Sequence, residues 1–150
     1  MTSSSDCTLA RTEAWFKKAV ANPTSKNIST QIGCHLEEVA EMLDAISSTD
    51  PELATKMGFL RDAIDHVGNL LKKDGGVVVK DRVELLDSLA DQIVTATGVG
   101  TFLGMNVPGA LAEVNRSNYS KFEDGEPIFN ENKKVMKGKD YTPPDLTPYI

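Results

Sequence analysis

Four carboxylates lie close together in the segment CHLEEVAEMLDAI, which spans Cys34 to Ile46. They are Glu37, Glu38, Glu41 and Asp44. On a helix, side chains three and four residues apart lie on neighbouring turns, and like charges at that spacing destabilise the helix by about 0.2–0.5 kcal/mol per pair. No Lys or Arg lies between Asn27 and Thr55 to offset the repulsion. The segment therefore raises the question of what neutralises its negative charge.

A second row of carboxylates occurs in the most apolar predicted helix, which spans Asp81 to about Gly104. Glu84, Asp87 and Asp91 have the spacing i, i+3 and i+7, which places them together along the edge of the apolar face. The stretch from Val83 to Asn115 contains no Lys or Arg. If the two helices pack with their acidic edges facing, only cations can stabilise the carboxylates that meet there.

Either row taken alone is typical of a solvated helix face. Together, the two rows predict a site for Mg²⁺ or Mn²⁺, because both ions prefer oxygen ligands and often share their site with substrate phosphates. Without an ion, the crowding would raise the pKa of several of these carboxyl groups. The hypothesis is therefore a divalent metal that serves chemistry on phosphates.

The spacing of apolar residues predicts an all-α helical bundle of about five helices, with a helical core at about 8–122 and a C-terminal arm at 123–150. The predicted helices are Thr8–Ala21, a segment ending near Ile46, Pro51–Leu71, Asp81 to about Gly104, and Val107–Tyr119. Asp50 is expected to cap the helix that begins at Pro51. In the arm, EPIFNENKKVMKG predicts a small hairpin, and the proline-rich YTPPDLTPYI predicts an extended end. The chain is interpreted as a single domain.

Composition narrows the classes of partner. The 150 residues carry a net charge of −6, which disfavours nucleic acid because phosphate neutralisation needs a basic surface. No apolar run is long enough to span a membrane and no signal peptide is evident, so a cytoplasmic location is expected. The helix from Asp81 is apolar around about half of its circumference, which predicts contact with more than one neighbour, at the centre of the bundle or in a subunit interface.

The sequence EEVAE, at Glu37–Glu41, resembles the EExxE motif of the all-α nucleoside triphosphate pyrophosphohydrolases. This superfamily includes MazG, the all-α dUTPases and phosphoribosyl-ATP pyrophosphohydrolase. Its second motif is ExxD on a later helix, and ELLDSLAD offers that spacing at Glu84 and Asp87. Counting back from the following segment instead places Asp91 at the family aspartate and Ser88 at the family glutamate. Either Glu84 or Asp91 therefore completes the motif beside Asp87.

Two later segments extend the resemblance over most of the chain from about Gln31. EVNRSNYSK, at Glu113–Lys121, and the tail DGEPIF…KKVMKG…YTPPDL are similar to phage-type MazG-like proteins. The resemblance implies Mg²⁺-dependent hydrolysis of a canonical or modified nucleoside triphosphate, preferably a deoxynucleotide, to the monophosphate and pyrophosphate. It also implies a dimer or a tetramer.

The resemblance further implies roles for individual residues. The metal ligands would be Glu38, Glu41, Asp87 and Asp91, with Glu84 as a possible further ligand. Glu37 would orient and deprotonate the attacking water, as a carboxylate can.

Substrate binding is predicted in the last helix and the arm. Asn115, Asn118 and Lys121 recur every three residues and are predicted, with Arg116, to contact phosphate, sugar or base. Asn118 could instead cap the end of the helix. Three arm residues could close over the triphosphate or belong to an ordinary solvated tail. They are Lys134, Lys137 and Lys139.

Two alternatives to this function stay open. One is phosphoribosyl-ATP hydrolysis in histidine synthesis, which the extra helix from Pro51 and the long basic tail fit less well. The other is a non-catalytic helical adaptor whose acidic face binds a basic partner. The absence of a glutamate at Ser88 favours the adaptor.

Overall fold

The structure is a computed structural model that describes residues 8–73, 75–130 and 135–150. Within these ranges the protein has five α-helices, one short 3₁₀-helix and no β-strand. The helices are α1 (Thr8–Ala19), α2 (Ser25–Asp44), α3 (Pro51–Lys73), α4 (Arg82–Phe102) and α5 (Val107–Tyr119), and the 3₁₀-helix is Thr147–Tyr149. The prediction of an all-α protein with about five helices is confirmed.

The contacts along the chain divide it into two compact units. One unit is Asn22–Lys80 and contains α2 and α3. The other unit combines two parts of the chain, the residues up to Ala21 and the range Asp81–Ile150, and it contains α1, α4 and α5. The order of the predicted helices gives no sign of this division.

In the unit Asn22–Lys80, α2 and α3 form a helical hairpin whose backbones come very close at two glycines. A Cβ built on Gly33 would lie 2.6 Å from the carbonyl oxygen of Gly68, and one built on Gly68 would lie 3.0 Å from the carbonyl oxygen of Gly33. Nearby, the buried Ser29 donates its hydroxyl to the carbonyl of Leu71 at 2.8 Å. The absence of side chains at the two glycines permits this crossing.

The ends of the two hairpin helices are capped by side chains. Thr24 and Asn27 form a reciprocal capping box at the start of α2. Asp50 accepts a hydrogen bond from the backbone N–H of Glu52 at 3.0 Å, so the predicted cap of the Pro51 helix is confirmed. Lys26 donates from Nζ to the carbonyl of Lys73 at 2.7 Å, which satisfies a free carbonyl in the last turn of α3.

In the other unit, α1 packs on α5 through an aromatic cluster. The rings of Trp15 and Phe122 are stacked, with centroids 5.8 Å apart and planes within 4° of parallel. The indole Nε1 of Trp15 donates to the carbonyl of Asn118 at 2.9 Å. Tyr119 meets Phe122 edge-on. This cluster forms much of the core of the unit, because Phe122 is the one large apolar side chain that is buried among the described residues of the unit.

Helix α4 packs against α5 within its unit and keeps much of its apolar surface exposed. The crossing is close at Gly100, where a Cβ would overlap the side chain of Val107. The exposed apolar side chains of α4 include Val83, Leu86 and Val94, and Phe102 is 92% exposed. The apolar circumference predicted for this helix is therefore only partly covered by α5.

The C-terminal segment 135–150 is attached to α5 along its length. Arg116 forms two hydrogen bonds with the carboxylate of Glu113, each 2.7 Å long, and also donates to the hydroxyl of Thr142 and the carbonyl of Pro143. Glu113 in turn accepts from the backbone N–H of Asp145 at 3.0 Å. The Arg116–Glu113 pair therefore links α5 to the segment, and Ser117 and Ser120 add hydrogen bonds to the backbone of Thr142.

The predicted hairpin of the arm is not confirmed. Among the described residues, this region contains two isolated antiparallel bridges, Glu123 with Glu126 and Phe129 with Val135. The predicted hairpin includes residues 131–134, which lie outside the described residues, as does Lys134, one predicted phosphate-binding residue.

The attachment of the C-terminal segment has a testable pH dependence. Hydrogen bonds from Arg116, and then from the backbone of Asp145, lower the pKa of Glu113 from 4.5 to about 2. A depressed carboxyl pKa stabilises the fold at pH above the unfolded value, and this stabilisation is lost as the pH falls from about 4.5 to 2. We expect Glu113→Gln to lower the thermal unfolding midpoint at pH 6, by an amount that shrinks steadily below pH 4.5.

The control for this prediction is Glu13→Gln, which removes an exposed ion pair with Lys17 within α1. Exposed pairs of this kind contribute about 0–1 kcal/mol, so the control should change the midpoint little at either pH. A Glu113→Gln effect of equal size at pH 6 and pH 3 would contradict the role given to the carboxylate.

Candidate functional site

The predicted base and the first two predicted metal ligands, Glu37, Glu38 and Glu41, lie on α2. The expectation that this acidic row lacks basic partners is wrong at both of its ends. Lys72 Nζ lies 2.9 Å from Glu37 Oε1, and Arg61 Nε lies 3.0 Å from both carboxylate oxygens of Asp44. Both partners belong to α3, which the close crossing of the hairpin brings alongside α2.

The negative charge in the middle of the row is not balanced in this way. Among the described residues, no ion pair involves Glu38 or Glu41. The pKa of Glu38 is raised, first by partial burial and then by repulsion from Glu41 and Glu37, while His35 acts in the opposite direction. Carboxylates whose charge is disfavoured in this way gain most from a bound cation.

The second acidic row lies on α4. Glu84, Asp87 and Asp91 are all exposed. The backbone N–H of Glu84 is capped by Asp81 at 3.0 Å, and across the part of the chain that the structure describes no ion pair involves this row. Its three carboxylates are therefore open to solvent and free to accept a cation.

The two rows belong to different units. Glu38 and Glu41 lie in Asn22–Lys80, while Asp87 and Asp91 lie in the other unit. Among residues 8–73, 75–130 and 135–150, no group of three or more His, Cys, Asp or Glu side chains is arranged to hold a metal ion. Convergence of the two rows on shared ions stays a prediction. The donors themselves, all carboxylate oxygens, suit Mg²⁺ or Mn²⁺.

Two of the predicted substrate-binding residues have structural partners. Asn115 is 1% exposed; it donates from Nδ2 to the carbonyl of Thr8 and accepts at Oδ1 from Thr12, both at 2.9 Å. Arg116 holds Glu113 and the C-terminal segment. Both side chains join α5 to its neighbours, and their position gives no support to a role in binding substrate.

The other predicted substrate-binding residues lie at the end of α5 and on the C-terminal segment. Lys121 donates from Nζ to Asn118 Oδ1 at 2.8 Å, and its Nζ lies 5.7 Å from the centroid of the Trp15 ring. The side chain of Asn118 thus contacts Lys121, and the residue that caps α5 is Ser120. The Nζ of Lys137 lies 4.7 Å from the centroid of the Tyr141 ring.

The C-terminal segment passes directly beside Lys121. The backbone N–H of Gly138 donates to the carbonyl of Lys121 at 3.0 Å. A Cβ on Gly138 would lie 2.8 Å from that carbonyl oxygen, so only glycine allows this approach. Gly138 therefore joins the C-terminal segment to Lys121, and Lys137 is the residue that directly precedes Gly138.

Lys72 and Arg61 are not among the residues predicted for this site. A signal for Lys72 exists in the spacing, because Gly33 lies four residues before Glu37 and Gly68 lies four residues before Lys72. On each helix, the glycine and the charged residue therefore share a face one turn apart. A pair of glycines in the middle of two consecutive helices indicates a close antiparallel crossing. In this crossing Gly33 faces Lys72 and Gly68 faces Glu37, so each charged residue lies opposite the glycine of the other helix.

Comparison with known proteins adds no further constraint on this site. No protein-family model, no curated protein and no solved structure matches the chain. Across the described residues, none of the helices combines the length and the apolar character needed to traverse a lipid bilayer.

Proposed function

We propose that the protein is a MazG-like nucleoside triphosphate pyrophosphohydrolase. It would hydrolyse a canonical or modified nucleoside triphosphate, preferably a deoxynucleotide, to the monophosphate and pyrophosphate with Mg²⁺. The observation that carries the proposal is that basic residues balance the negative charge of α2 only at the two ends of its acidic row. Basic residues of α3 pair with Glu37 and Asp44 at the ends of the row, while Glu38 and Glu41 between them have no ion pair among the described residues.

The proposed ligand set is Glu38, Glu41 and Asp87, completed by Asp91 or Glu84. Mg²⁺ bound there would neutralise charge on the phosphate oxygens, which is the main requirement of phosphoryl transfer. Glu37 would accept the proton of the attacking water. Lys121 would contact a phosphate oxygen, with Asn118 beside it to hydrogen-bond the nucleoside, and Lys137 would approach from the C-terminal segment.

We propose in addition that the active form is a homodimer or a homotetramer located in the cytoplasm. The support for assembly is the exposed apolar surface of α4, where Leu86 and Phe102 are largely open to solvent. Exposed apolar patches of this kind are typical of protein–protein contacts. The net charge of −6 argues against nucleic acid as a partner.

The proposal is tested by a panel of ribo- and deoxynucleoside triphosphates, with phosphoribosyl-ATP included, in ¹⁸O-labelled water. We expect at least one nucleotide to give the monophosphate and pyrophosphate with Mg²⁺ and no product in excess chelator. The position of the label identifies the phosphorus that is attacked. Turnover of phosphoribosyl-ATP alone would establish the histidine-pathway alternative.

A diphosphate and inorganic phosphate as products would contradict the proposed reaction. If no nucleotide is hydrolysed, calorimetry with Mg²⁺ and a non-hydrolysable nucleotide decides the next step. Absence of metal-dependent nucleotide binding would favour the adaptor alternative.

A further inference from the structure

The side chain of Lys72 reaches Glu37 by crossing α2 at Gly33. A Cβ on Gly33 would lie 2.8 Å from Lys72 Cγ and 3.2 Å from the backbone nitrogen of Lys72. The aliphatic part of the lysine therefore lies where any other residue at position 33 would place its side chain. One turn further along α2, the ammonium group ends 2.9 Å from Glu37 Oε1.

This ion pair is more enclosed than the lysine–glutamate pairs that form within single helices. The side chains of Lys72 and Glu37 are 25% and 41% exposed, whereas those of Lys56 and Glu52 are 66% and 76% exposed. The hydrogen bond from Lys72 to Glu37 raises the pKa of Lys72. Because the aliphatic stem of Lys72 is packed against α2 and its charged form is favoured, Lys72 holds the Glu37 carboxylate in one orientation.

The attachment of α3 to α2 does not depend on this pair. The crossing at Gly33 and Gly68, the buried hydroxyl of Ser29 and the Arg61–Asp44 pair already join the two helices. Partly exposed ion pairs contribute little to stability. The position of Lys72 therefore has more consequence for the orientation of Glu37 than for the fold.

We propose that Lys72 is a positioning residue for the hydrolysis proposed above, on which this inference rests. It occupies Oε1 of Glu37 and thereby directs Oε2 towards the attacking water. The proton of the water passes to Oε2 as its oxygen forms the bond to phosphorus. The bond from phosphorus to the bridging oxygen breaks, and the electron pair leaves on that oxygen with the departing product.

The test compares Lys72→Met with the wild-type protein, using the nucleotide that the panel identifies. Methionine keeps an unbranched stem over Gly33 and removes the charge. We expect kcat to fall about 10- to 100-fold, since misplacement of a catalytic group has effects of that size. KM and the Mg²⁺ concentration for half-maximal activity should not change, and Lys72→Arg should recover part of kcat.

The matched control is Asp44→Asn, which removes the other ion pair between α2 and α3. It should leave kcat unchanged, and both variants should keep thermal unfolding midpoints within a few degrees of wild type. A Lys72→Met variant with wild-type kcat overturns the inference alone. Equal losses of kcat and stability in Lys72→Met and Asp44→Asn assign a purely structural role and also overturn it. No turnover by the wild-type protein ends the proposed function and this inference with it.

Discussion

Replacing Glu38 with Gln should abolish Mg²⁺-dependent pyrophosphate release and slightly stabilise the metal-free protein. Loss of a supporting group around a metal site costs about 10- to 100-fold, so loss of a ligand itself should cost at least about 100-fold in kcat. The gain in stability arises because the neutral amide would no longer repel Glu41 three residues away, a repulsion of about 0.2–0.5 kcal/mol. Opposite effects on activity and stability are typical of a residue retained for function.

The stability effect of Glu38→Gln should depend on pH. Burial and the neighbouring carboxylates raise the pKa of Glu38 above 4.5, so the folded protein binds this proton more tightly than the unfolded chain. A carboxyl group whose pKa is raised in the folded protein lowers the free energy of unfolding as the pH rises above 4.5. The free energy of unfolding of the variant should therefore exceed that of wild type at pH 7.5 and equal it at pH 4, both measured in chelator.

The control for Glu38→Gln is Glu52→Gln, which removes an exposed carboxylate on α3 that pairs with Lys56. This variant should keep full activity. Mg²⁺ should raise the unfolding midpoint of wild type and of Glu52→Gln, but not that of Glu38→Gln. Full activity of Glu38→Gln, or full activity of the wild-type protein in excess chelator, would eliminate the metal mechanism.

Replacing Gly33 with Ala should destabilise the protein by about 1–3 kcal/mol, the usual cost of forcing an added methyl group into a packed contact. The new Cβ would lie 2.6 Å from the carbonyl oxygen of Gly68. That oxygen is part of the α3 backbone and cannot move without separating the two helices. Urea-induced unfolding, followed by circular dichroism, measures the loss.

The matched control for Gly33→Ala is Gly58→Ala in α3. A Cβ on Gly58 meets nothing within 4 Å, and alanine is favoured over glycine inside a helix by about 0.5–1 kcal/mol. Gly58→Ala should therefore stabilise the protein. A Gly33→Ala variant as stable as Gly58→Ala would contradict the close crossing of α2 and α3.

The helices themselves can be predicted from the sequence because their information is local. The apolar spacing and the flanking turn residues predict α5 at Val107–Tyr119, where the structure has it. The sequence also predicts helix starts at Asp50 and Asp81, and both side chains cap backbone N–H groups there. The hairpin predicted in the arm is not confirmed, and the pairing of such short strands depends more on their packing partners than on local sequence.

The environment of the candidate site can be predicted only in part, because it depends on contacts distant in sequence. The acidic rows follow from helical spacing, but the pairing of Glu37 with Lys72 depends on where α3 crosses α2. The contacts of Asn115 and Arg116 are likewise not predictable from the local sequence. Spacing gives the direction of a side chain on its helix, and it does not reveal that α1 covers one of them and the C-terminal segment engages the other.

The proposed mechanism requires carboxylates from α2 and α4 to meet at a shared metal site. The most direct test is a crystal structure with Mn²⁺ and a non-hydrolysable deoxynucleoside triphosphate, in which anomalous scattering locates the ions. The predicted result is Mn²⁺ bound by Glu38 and Glu41 together with Asp87 and either Asp91 or Glu84, from one subunit or from two. Carboxyl groups of α2 and α4 that lie far apart in every subunit and across every subunit boundary would contradict it.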